Sequence, residues 1–182
     1  MPLTPSVARE PLHTRNITIR GYRRSDGLYD IEGHLMDVKT RDMTLSAGVR
    51  KAGEPVHEMW LRMTIDTRLN IVAAEAQSDA VPYPGHCGEI TPHYEKLVGL
   101  SLRPGFAAKV RELFGSTRGC THISELIGSV ATTAYQTLTG QVKLPEDMKP
   151  FQLDKCHALV TDGPVVARYY PRWYRGAKKQ AG

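Results

Sequence analysis

The run Gly119-Cys120-Thr121-His122-Ile123-Ser124-Glu125 sets a thiol, an imidazole and a carboxylate within one short stretch. It opens the longest helical pattern in the chain, so Cys120 falls at a helix N-terminus. There the unpaired N–H groups and the helix dipole favour a thiolate, the form that binds metal or attacks an electrophile. His122 lies in the same first turn. Glu125, three residues further on, can hold one ring nitrogen as an N–H and leave the other lone pair for a metal or a proton. The same spacing also suits a small buried thiol beside a capping histidine, and both readings stay open.

Two distant residues extend this cluster. His57 begins the apolar side of a strand, where an imidazole must find a partner or remain a costly buried polar group. Cys87 follows the Pro82-Tyr83-Pro84-Gly85 turn. If the chain brings them together, His57, Cys87, Cys120 and His122 form an N/S set of the kind that holds zinc or iron, although no CxxC or HExxH spacing supports it. Without a metal, His57 or His122 serves as general base, with Tyr22 or Arg20 stabilising a phenolate or enolate. Arg20, Tyr22 and Arg24 alternate on one expected strand, and Asp30, Glu32 and His34 on the next. Facing strands would set cations opposite carboxylates, as a cavity wall or as an ordinary solvated sheet face. Cys156 and His157 are neighbours that would point apart in extended chain, so both read as structural.

The elements that must position these groups follow from periodicity. Asn16 to about Arg24 and Leu28 to Lys39 alternate around Ser25-Asp26-Gly27, a hairpin signal. Residues 40–55 read as a loop. Val56 to Asp66 places His57, Met59, Leu61, Met63 and Ile65 on one side, and Leu69 to Gln77 makes a fourth strand. Helical signals come later: Thr91 caps a short helix with Pro92 at its first position, and Pro104 opens another that ends at Gly115. The longest helix runs over about 120–138, with Ile123, Leu126, Ile127, Val130, Ala134 and Leu138 on one stripe. Beyond it come a turn or short helix and an edge strand near Val165 to Tyr169. The expected architecture is α+β: an antiparallel sheet of about four strands packed against three helices, with residues 1–15 an extended arm and 16–182 one domain.

At 182 residues and 41% apolar composition the chain can bury one core of ordinary size. No run approaches the ~20 apolar residues of a membrane span, and Met1 to Glu10 has no signal-peptide core, so a cytoplasmic, soluble protein is expected. Three cysteines are too few for a disulfide framework. The net charge of +5 is densest from Arg168 to Lys179, where tyrosines and Trp173 interleave with arginines. Such a segment can grip nucleic acid, but rings laid on a core with snorkelling arginine stems is the preferred reading. An exposed sheet edge would suit a homodimer.

Two resemblances add to this. Tyr22-Arg23-Arg24-Ser25-Asp26-Gly27-Leu28-Tyr29-Asp30-Ile31-Glu32-Gly33, with His57-Glu58-Met59, Gly119-Cys120-Thr121-His122 and Asp154-Lys155-Cys156-His157-Ala158-Leu159, resembles the bacterial DUF2889 family. That resemblance implies no fixed chemistry, and points towards catabolism of aromatic compounds. Residues 55–135 are distantly similar to iron–sulphur scaffold proteins of the IscU/NifU type. The similarity sets His57 where those proteins have a ligand carboxylate, Cys87 at the middle cysteine, and Cys120 with Glu125 at the late cysteine and its glutamate. Pro55 stands in place of the first cluster cysteine and Gly119 in place of the preceding histidine. The functional expectation is a small-molecule enzyme: a lyase breaking a C–C or C–O bond, or a hydrolase, acting on an aromatic or phenolic substrate. Either a metal held by His57, Cys87, Cys120 and His122 polarises a substrate oxygen, or the same residues act by acid–base chemistry alone. One concrete form is retro-aldol loss of a small aldehyde. The alternative is a non-catalytic metal or iron–sulphur carrier.

Overall fold

β-branched and aromatic residues interspersed with polar ones make the first two strands. In the computed structural model, which describes residues 4, 7–45, 47–142 and 147–176, β1 (His13–Arg23) pairs antiparallel with β2 (Tyr29–Lys39). The hairpin turns at Ser25-Asp26-Gly27 as its residues require: Gly27 takes φ 85°, Asp26 Oδ1 accepts the Leu28 N–H at 3.2 Å, and Arg24 N–H closes on Leu28 O at 2.9 Å. β1 begins at His13, so residues 13–15, assigned to the extended arm by composition, are paired with β2.

The 40–55 stretch, expected as a loop, contains a small hairpin of β3 (Met43–Leu45) and β4 (Gly48–Arg50). Three-residue strands fall below the length at which alternation can be read. β5 (Pro55–Ile65) and β6 (Ile71–Ala80) complete a four-stranded antiparallel sheet in the order β1-β2-β5-β6. The helical half comes after it. A 3-10 segment spans Cys87–Leu97 with Pro92 inside it rather than at its start, and Thr91 Oγ1 donates back to Gly88 O instead of capping. Then come α1 (Phe106–Phe114) and α2 (Thr121–Leu138). Among the described residues no helix is long and apolar enough to cross a membrane.

One face of the sheet carries the core. Along β2, Tyr29, Ile31, Gly33, Leu35 and Asp37 are buried and the residues between them are half-buried. Along β5, Met59, Leu61, Met63 and Ile65 continue that face, and α2 covers it with Ile123, Leu126, Ile127, Val130 and Ala134. Two glycines let the helix lie close. A Cβ on Gly33 would stand 2.7 Å from Val130 Cγ2, and one on Gly21 would stand 2.0 Å from Thr137 Oγ1. These contacts fix the helix direction. His122 meets Asp37, Val130 meets Gly33, and Thr137 meets Gly21, which is paired with Ile31. The helix therefore runs opposite to β2. The rise from residue 122 to 137 is about 22 Å, against about 20 Å for the strand from 37 to 31. The match in length is why the start of α2 arrives at one end of the sheet.

The chain divides into two compact units, 1–141 and 142–182. In the second, α3 (Pro164–Tyr169) stands where an edge strand was expected. Val165 and Val166 suit a strand, but Pro164 at the first helical position presets φ, and the Ala167 N–H closes on Gly163 O at 3.0 Å. Asp154, at φ 61°, ties this unit together by accepting the Thr161 N–H at 2.8 Å and pairing with Lys149, contacts that lower its pKa to about 2. Arg168 and Arg172 lie over the rings of Tyr169 and Trp173. The last part of the basic aromatic run, from residue 177, falls outside the described residues.

Candidate functional site

Asp37 is the residue on which the site is built. It continues the inward parity of Tyr29, Ile31, Gly33 and Leu35, so the strand that buries four core positions also buries a carboxylate, 1% exposed. A buried carboxylate needs partners. Four cationic or ionisable side chains converge on it from three elements. From the neighbouring strand, Arg15 pairs with Asp37 in register and donates from Nε to Oδ1 at 2.8 Å and from Nη2 to Oδ2 at 2.7 Å. His13 sets Nε2 3.2 Å from Oδ1. On the other side β5 places His57 opposite Asp37, with Nδ1 3.2 Å from Oδ2. α2 brings His122 Nε2 to 3.6 Å from the same oxygen.

The backbone is shaped to allow this. The β2–β5 register shifts between Asp37 and Val38, and the β5–β6 register shifts between Glu58 and Met59. Such irregularities bend a strand and re-aim its side chains, and here both flank His57. The start of α2 is fixed by Tyr94, fully buried in the 3-10 segment and stacked on Phe114 with centroids 4.7 Å apart. Its hydroxyl accepts the Cys120 N–H at 2.9 Å and lies 3.1 Å from both Cys120 O and Ser124 Oγ. One phenol thus anchors the turn that carries His122.

The two histidine rings stack on each other, with centroids 3.8 Å apart and planes 28° from parallel. Burial lowers the pKa of His57, aided by neighbouring His122 and opposed by Asp37. His122 is lowered by burial and by Arg15, against Asp37 and Glu125. Neutral imidazoles result at neutral pH, able to accept a proton or ligate a metal. Burial alone would raise the Asp37 carboxyl, but the Arg15 fork outweighs it and the net shift is downward. An ionised Asp37 can only accept, so the His57 nitrogen facing it is the N–H and Nε2 keeps its lone pair.

Of the residues singled out by sequence, the structure brings His57, His122, Cys120 and Glu125 to one place. Cys120 Sγ lies 3.8 Å from His122 Nδ1, and Glu125 pairs with Arg15. Tyr22 and Arg20 sit elsewhere: their register partners Asp30 and Glu32 belong to the outward parity of β2, so they lie on the sheet face opposite α2. On that face Arg24 pairs with Asp30, Arg62 bridges Glu32 and Glu75, and His34 stacks on Trp60. Cys87 opens the 3-10 segment. Among the described residues, the group whose ligand atoms lie within 4.8 Å of one another is Asp37, His57 and His122, and it contains neither thiol.

Asp37, Arg15, His13 and Tyr94 were not singled out by sequence. The signal for Asp37 was present, a carboxylate at the inward step of an alternating strand. Arg15 and His13 share the parity of Ile17 but sit in a stretch whose composition reads as an end.

Comparison with known families finds a model described as "Protein of unknown function (DUF2889)" matching residues 13–136, a span holding every residue of this site. No curated protein and no solved structure matches the chain.

Proposed function

This chain belongs to the DUF2889 family, and we propose that it is a small-molecule enzyme, a lyase acting by acid–base chemistry on an aromatic or phenolic substrate. The observation that supports the reading is the Asp37–His57 contact of 3.2 Å. A buried, Arg-paired carboxylate holds the imidazole in one tautomer and stabilises the imidazolium that forms when Nε2 accepts a proton. In a retro-aldol step, Nε2 takes the proton of a hydroxyl on the carbon that departs. The O–H electron pair becomes the carbonyl of the leaving aldehyde. The electrons of the broken C–C bond pass into a carbonyl of the substrate conjugated with its ring, forming an enolate, and the enolate carbon then takes a proton from the His57 imidazolium. Arg15 and His13, at the edge of the site, take the anion-stabilising role that sequence spacing gave to Arg20 and Tyr22.

The test is aldehyde release from a panel of β-hydroxy ketones that carry a phenolic ring. His57→Ala lowers kcat by roughly 10²–10⁴-fold, and Asp37→Asn lowers it with a changed His57 tautomer in ¹⁵N spectra. Full activity in His57→Ala overturns the reading.

A second reading has its own support. Asp37, His57 and His122 offer one carboxylate and two imidazoles within 4.8 Å, a donor set suited to zinc or non-haem iron. As a carrier, the protein would hold a mononuclear ion more readily than an iron–sulphur cluster, since the group lacks thiolate. Two imidazoles radiating from one ion stand about 4.5–5 Å apart at their centroids, so loading would part rings that now stack at 3.8 Å. A stoichiometric ion in freshly purified protein, lost in His122→Ala, together with no aldehyde release from the panel, favours this reading over the first.

A further inference from the structure

A base acts only on a substrate that is held beside it, and Arg15 has donors to spare for that task. A guanidinium has five N–H donors in a rigid plane. The side-on fork of Nε and Nη2 is filled by Asp37. The end-on fork of Nη1 and Nη2 is met by a single oxygen, Glu125 Oε2 on Nη1. One N–H on each Nη meets no acceptor among the described residues, so the outward fork is half-filled. Its occupant lies at the surface, where water and ions screen the pair: the Glu125 side chain is 42% exposed, whereas that of Asp37 is 2% exposed. The buried half of Arg15 is thus fixed and the outer half is available.

The geometry points to the outward fork of Arg15 as the subsite for a substrate carboxylate, with Glu125 as its monodentate occupant in the free protein. A carboxylate arriving end-on accepts from both Nη groups at once, which exceeds what Glu125 achieves with one oxygen. Asp37 joins this fork directly to His57, since both Arg15 Nη2 and His57 Nδ1 contact Asp37 Oδ2. The fork and the imidazole therefore lie on the same face of the sheet, on either side of Asp37. The fork selects a carboxylate; the aromatic part of the substrate, like the chemical step after binding, rests on the acid–base reading.

Titration of the full chain with benzoate, and with benzyl alcohol as its neutral counterpart, tests it while the Arg15 Nε–H resonance and the His57 ring nitrogens are followed. Benzoate gives a saturable shift at Arg15 and benzyl alcohol does not. Glu125→Gln, a change on an exposed side chain, tightens benzoate by roughly fivefold, and Arg15→Lys, which keeps the charge but not the fork, weakens it by roughly tenfold. Equal response to the alcohol, no saturation, or unchanged affinity in Glu125→Gln overturns the subsite. Those outcomes leave His57-dependent aldehyde release untouched. Conversely, benzoate binding alongside full activity in His57→Ala overturns the acid–base reading alone.

Discussion

Asp37 gathers Arg15, His13, His57 and His122 around one carboxylate, and that arrangement gives the protein a pH dependence of known sign. The two imidazoles have pKa values below that of an unfolded histidine, about 6.5, mainly through burial. As pH falls through ~6.5 the unfolded chain takes up protons that the folded one refuses, so stability falls until the lower folded-state values are passed. Asp37 acts at lower pH. Its folded pKa is depressed, so its contribution is present above the unfolded value of ~3.9 and is lost as pH drops through the folded one. Denaturant unfolding between neutral and acid pH should show both phases. In His57→Gln the first should shrink, and an unchanged profile there would show that His57 does not titrate as its burial requires.

At the scale of elements, the close approach of α2 to the β1–β2 hairpin is what delivers His122. Gly33 and Gly21 make that approach possible, because a Cβ at either would overlap Val130 or Thr137. Gly33→Ala should cost about 1–3 kcal/mol of stability, the usual range for overpacking a filled core. Adding Val130→Ala should recover part of that loss in a double-mutant cycle, since the clash is with Val130 Cγ2. Additive effects would mean that the helix, rather than the side chain, gives way. The register shifts beside His57 belong to this scale as well: one residue more or less in β5 would turn the imidazole to the face occupied by Trp60 and Arg62.

For the whole molecule, the family match over residues 13–136 falls inside the first compact unit. A fragment of residues 1–141 should therefore unfold cooperatively and keep the His57 and His122 resonances of the full chain. Loss of the folded signal in that fragment would show that the sheet depends on residues beyond 141.

Sequence alone determined the order of the long strands and helices of residues 13–138, because alternation and 3-4 spacing are local consequences of which side chains can be buried on a strand or a helix. Asn16–Lys39 as a hairpin, the buried side of β5 and the stripe of α2 were all legible this way, as were His57 and His122 as chemical candidates. Short or conflicted stretches were not: three-residue strands have no period to read, and Pro164 outweighed the strand preference of Val165 and Val166. The membership of the site was decided by tertiary structure, since it depends on register, face and direction. Pairing put Arg15 and His57 on either side of Asp37. The pleat sent Arg20 and Tyr22 to the opposite face. Antiparallel packing of α2 on β2, held by two glycines and latched by Tyr94, brought His122 to the buried carboxylate.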